Sequence, residues 1–114
     1  MLTIISPNTG KRIQIAEEDT VSMQWLEAKL TFENLGNGWR IPTIEELKTI
    51  YDSVYVIVLK ENDNKKYNLY KFGALYWSIT EFDADHAWTY YFDEGYAHES
   101  SKDNWQRVRA VRDL

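Results

Sequence analysis

The chain has no cysteine, and this absence alone removes several kinds of chemistry. Disulfides, thiolate catalysis and cysteine-based metal sites are all excluded. Only two prolines and five glycines interrupt the 114 residues, so breaks are few and each marks a corner. Two histidines, His86 and His98, are too few for a three-histidine metal site. Basic residues are in deficit: 13 Lys and Arg against 18 Asp and Glu give a formal net charge of -5. A nucleic-acid binder normally carries a basic face, so nucleic acid is not an expected partner. No run of about 18 apolar residues occurs, and no membrane insertion is expected. The segment from Met1 to Pro7 lacks a basic n-region and a long apolar h-region, so it does not read as a signal peptide. No nucleophile elbow, P-loop or dinucleotide fingerprint appears.

What is present is apolar and aromatic. Apolar residues make up 44% of the chain and aromatic ones 15%, including five Trp and eight Tyr, a composition that fits one globular domain over residues 1–114. Large rings build the core of a small domain or stack on sugars at its surface. Residues 3–16 read as a β-hairpin, with Pro7-Asn8-Thr9-Gly10 as the turn. Trp25, Ala28, Phe32 and Leu35 form a helical stripe that predicts a helix over 23–35, with Ser22 as N-cap and Gly36 as the left-handed stop.

The stretch from Gly38 to Leu47 organises the rest. Pro42 keeps Ile41 out of helical angles, so the corner is extended. Thr43 is a natural N-cap, and Glu46 three residues on completes a capping box. Trp39 and Ile41 are expected to pin the corner to the core, and Arg40 to brace it by pairing with a carboxylate. Helical spacing from Ile44 predicts a second helix to about Leu59, against the β-branched run at 54–58. The C-terminal half reads as antiparallel sheet, with strands at 75–79, 87–92, 96–99 and 106–112. Asp93-Glu94-Gly95 makes a three-residue hairpin loop. Trp77 and Trp88 are expected in the core. Arg109 and Arg112 point to opposite faces of the last strand, at least one of them in a structural ion pair with its stem on a ring.

Several motifs stand in a fixed order: Trp25-x-x-Ala28, Gly38-Trp39-Arg40-Ile41-Pro42-Thr43, Glu46-Leu47, Tyr76-Trp77-Ser78-x-Thr80-Glu81, Ala87-Trp88 and Val108-Arg109-Ala110-Val111-Arg112. This set resembles the bacterial domain family named after the C-terminal domain of the Legionella collagen-like adhesin, whose usual patterns are W-R-L-P-T, Y-W-S-S-T, A-W and V-R-x-V-R. The likeness covers residues 3–113. Phe32 stands where many relatives carry Cys, and Ile79 replaces the second Ser of Y-W-S-S-T; both read as packing changes. The resemblance implies an α+β, C-type-lectin-like fold, similar to that of the formylglycine-generating enzyme superfamily: two helices on a small antiparallel sheet, with an N-terminal hairpin. It also implies a cell-surface or secreted setting. The adhesin's glycosaminoglycan binding does not carry over, because no basic cluster is present for sulfated sugars.

The loops at 81–86 and 93–105 collect the candidate ligand-binding residues Asp83, Asp85, His86, Tyr96, His98, Asn104 and Trp105. Glu81-x-Asp83-x-Asp85 is a possible set of oxygen ligands for Ca²⁺, but a solvated loop is the preferred reading. The calcium-site motifs of C-type lectins are missing, so no metal or cofactor is expected. Formylglycine-type catalysis needs cysteines, and no carboxylate pair stands out for glycoside hydrolysis. The expected function is a non-catalytic module that binds a carbohydrate or protein ligand. Two alternatives are a structural interaction domain of a larger bacterial surface assembly and a divergent hydrolase using Asp83 or Asp85. The sequence leaves the oligomeric state open.

Overall fold

The computed structural model describes residues 2–55 and 75–114. Among the described residues the fold is α+β, with two α-helices and two antiparallel sheets. Strands β1 (Leu2–Ile5) and β2 (Arg12–Ile15) form the expected hairpin. Helix α1 (Trp25–Leu35) is followed by the two-residue strand β3 (Trp39–Arg40) and helix α2 (Ile44–Ile50). A π-helical turn over Tyr51–Tyr55 continues α2. The predicted helical stretch at 56–59 lies outside the described residues. Strands β4 (Leu75–Glu81), β5 (His86–Tyr91) and β6 (Tyr96–Ser101) make one sheet in that order. Strand β7 (Val111–Asp113) sits between β2 and β3 in the other, whose order is β1-β2-β7-β3.

The corner between α1 and α2 is built as its residues dictate. Thr43 caps α2: its hydroxyl accepts from the Glu46 amide at 3.1 Å, and Glu46 accepts from the Thr43 amide at 2.9 Å. Glu46 is fully buried. Arg40 grips its carboxylate with two nitrogens at 2.7 and 2.8 Å, and Ser6 donates at 2.6 Å. Burial alone would push the Glu46 carboxyl up; the Arg40 guanidinium, the Ser6 hydroxyl and the Thr43 amide overcome that and hold it below its ordinary value. Arg40 also reaches Asp113 of β7 at 3.1 Å, so one guanidinium ties the corner to both the helix and the sheet. Trp39 is half-buried, with the Arg112 guanidinium 4.7 Å from its ring centre. Arg112 also donates to Gln14 at 2.7 Å.

Two apolar clusters result. One packs β1, β2 and α2 against Tyr76, Tyr90 and Phe92. The other gathers Trp25, Ala28, Ile41, Trp77, Ala87 and Val108. Trp77 is fully buried, as expected, and its indole donates to the Met23 carbonyl at 2.8 Å. Reciprocally, the Trp25 indole donates to the Ser78 carbonyl at 2.9 Å, which fastens α1 to β4. Trp88 is only half-buried, because its ring faces outward against exposed Phe82. Arg109 is fully buried against Asp19, 2.6 Å away, and the Tyr76 hydroxyl donates to the same carboxylate.

Several boundaries differ from the sequence reading: β4 and β6 each run two residues further, to Glu81 and Ser101, β5 starts and ends one residue earlier, and larger changes fall at the start of α1 and in the last strand. Helix α1 begins at Trp25, after Gln24, whose side chain makes no cap bond. The preceding residue, Met23, is drawn into a bridge with Gln106, which straightens the chain at Ser22. The expected last strand at 106–112 is split. Gln106 and Arg107 bridge to Met23 and Tyr76, Val108 and Ala110 bond to Thr20 and Ala16, and ladder pairing begins only at Val111. The segment changes partners along its length.

Candidate functional site

A groove of about 720 Å³ lies between α1 and two loops at one end of the β4–β6 sheet. Its volume falls within the usual range for ligand sites. One wall is the outer face of α1, with Leu26, Glu27 and Leu30. The other comes from the β4–β5 loop and the segment after β6, with Asp85, Lys102 and Asp103.

The groove follows from how α1 packs. Trp25 and Ala28 turn inward to the core, so Leu26 and Leu30, four residues apart, stand together on the outer face. They are 56% and 47% exposed, well above a core leucine. Lys102 ties the two walls. Its ammonium sits 4.4 Å from the Trp25 ring centre and donates to Glu81 and to the Ala84 carbonyl, both at 3.0 Å. Its backbone amide donates to Asp85 at 2.8 Å, and its carbonyl accepts from Trp25 at 3.2 Å. The Gln24 side chain donates to the Asp103 carbonyl at 3.1 Å. Two hydrogen bonds, Trp25 to Lys102 and Gln24 to Asp103, and the Lys102–Trp25 cation–π contact therefore join the walls, while the other Lys102 bonds hold the loop wall together.

The predicted ligand-binding residues divide between this groove and other places. Asp85 lines it. Trp105, 60% exposed, stands one residue from the Gln106–Met23 bridge and is not part of the groove lining. Asn104 closes the turn before it, its amide bonded to Ser101. Asp83 and His86 pair with each other at 2.8 Å on the same loop. The hydrogen bond from His86 holds the Asp83 carboxyl below its ordinary range. Tyr96 and His98 are not brought to the groove. Tyr96 pairs with Tyr91 at the far end of the sheet and His98 with Thr89, while the groove end is at the His86–Ser101 pair. Five residues of strand separate Tyr96 from Ser101, on the order of 17 Å.

Sequence reasoning missed the helix wall. The signal for it was Leu26 and Leu30, a second i, i+4 apolar pair set off from the Trp25–Ala28 stripe. A smaller apolar pocket of about 240 Å³ lies on the other side of α1, between Phe32, Ile41 and Ile79. Among the described residues, no group of three or more His, Asp or Glu is placed to hold a metal ion, and no helix is long and apolar enough to cross a membrane.

The positions that build the corner and the indole tethers are those of the motif set: Trp25, Arg40, Thr43, Glu46, Trp77 and Arg109. A search of curated proteins finds no match. The family model of the Lcl C-terminal domain matches residues 8–112, nearly the whole chain, and the protein belongs to that family.

Proposed function

We propose that the chain is a non-catalytic binding module, with a C-type-lectin-like fold, that takes its ligand in the groove between α1 and the sheet-end loops. The observation that carries this reading is the groove itself: about 720 Å³, with two exposed leucines and three carboxylates on walls fixed to each other. A preformed, braced concavity lowers the ordering cost of binding. A general acid needs a carboxyl raised toward neutral pH, and His86 moves Asp83 in the opposite direction, which argues against that one role for it. The reading assigns the Lys102 tether to shape and the lining of α1 to contact.

The test is steric. Thr31→Trp fills the groove from its helix wall, where Thr31 is exposed. Glycan and peptide arrays probed with the native chain should give hits that the variant loses. Hits that survive Thr31→Trp at full strength place the ligand elsewhere and refute the reading.

A further inference from the structure

The occupant of the groove can be narrowed, on the premise that the binding reading holds. We propose that the groove docks a basic amphipathic peptide segment, with lysine or arginine flanking leucine-type side chains. Four features carry this. Leu26 and Leu30 present an aliphatic strip on a helix face, the surface that apolar peptide anchors use. Glu27, Asp85 and Asp103 surround that strip, and among the described residues no cation pairs with any of them. Lys102 does not offset them, because its charge is committed to Glu81, the Ala84 carbonyl and the Trp25 ring. The fourth feature is the first turn of α1, where the Trp25 amide already donates to the Lys102 carbonyl and Glu27 adds negative charge, which together disfavour an anion.

Charge complementarity also sorts the other occupants. A second copy of the chain carries a net charge of -5, and an acidic groove repels it. Anionic glycans and nucleic acids are disfavoured for the same reason. A neutral sugar is better served by an aromatic floor than by two leucines, and Trp105 is not part of the lining.

The probe is a fluorescein-labelled Leu/Lys peptide of about 12 residues, enough to span α1 as a helix. A Leu/Glu peptide of the same pattern is its control. Anisotropy is read with the native chain and three surface variants, each checked for folding by circular dichroism. Glu27→Gln/Asp85→Asn/Asp103→Asn should weaken the Leu/Lys peptide about tenfold. Glu17→Gln/Glu18→Gln/Glu94→Gln removes as many acids away from the groove and should change it less than about twofold. Leu26→Ser/Leu30→Ser should also weaken it about tenfold while leaving the salt dependence unchanged. Equal weakening by the two acid-removing variants means non-specific attraction and overturns the proposal. Absence of Leu/Lys binding overturns it too. A neutral oligosaccharide that binds and is lost in Thr31→Trp would overturn this proposal while upholding the binding module. A groove that takes nothing from either class would remove both.

Discussion

Replacing Glu46 with Gln is the sharpest perturbation of the frame that holds the groove's helix in place. Gln keeps the shape but removes the charge on which Arg40, Ser6 and Thr43 converge. Taking one partner from a fully buried ion pair costs about 3–5 kcal/mol. Arg40 keeps Asp113 and is 32% exposed, so water compensates part of the loss. The Gln carbonyl still accepts from the Thr43 amide, so the capping box itself is kept. The expected cost is about 2–4 kcal/mol at pH 7, read from urea unfolding as a lower midpoint with unchanged slope. The sign of the pH effect is fixed by the lowered Glu46 carboxyl. Its contribution is present above the unfolded value of 4.5 and disappears as pH falls through the lower folded value. The gap between native and variant should therefore narrow in acid. A double-mutant cycle with Arg40→Met should give a coupling above about 1 kcal/mol. A cost below about 1 kcal/mol at pH 7, or additive single effects, would refute the reasoning.

Other expectations follow from the same contacts. Gly95 and Gly36 share positive φ angles of 76° and 64°, but a Cβ at Gly95 would lie 2.6 Å from the Tyr51 ring, while Gly36 has nothing within 4 Å. Thermal melts should show Gly36→Ala costing about 1 kcal/mol and Gly95→Ala at least about 2. Burial raises the Tyr76 phenol, and the Asp19 carboxylate raises it further, so its contribution is full below about pH 10 and lost above it. Tyr76→Phe should cost about 1 kcal/mol at pH 7 and flatten the alkaline loss of stability measured by denaturant titration. Lys102→Met keeps the stem but removes the bonds to Glu81 and Ala84 and the charge over Trp25. It should cost about 1 kcal/mol and shift tryptophan emission.

Local chemistry explains what the sequence revealed. Pro42, Thr43 and Glu46 act within a few residues of one another, so the corner and the start of α2 were legible. The same holds for Gly36 ending α1 and for the left-handed Gly95, although the hairpin loop has four residues, 92–95, and not the expected three. The start of α1 was not legible, because its first amide is satisfied by Lys102, which local capping rules do not reach. The segment 106–112 alternates like one strand, and periodicity carries no record of which neighbour each residue meets. For the site, the stretch 93–105 collects candidate residues that the sheet separates. Strand β6 runs between them and carries Tyr96 and His98 away from the end where Asp85 and Trp105 lie.

Amide chemical-shift mapping during titration with the Leu/Lys peptide tests the central claim most directly. The amides of Leu26, Leu30, Thr31, Asp85 and Asp103 should shift together and saturate at one affinity. Shifts centred on Tyr96 and His98 with a silent α1, or a uniform response across the surface, would contradict it.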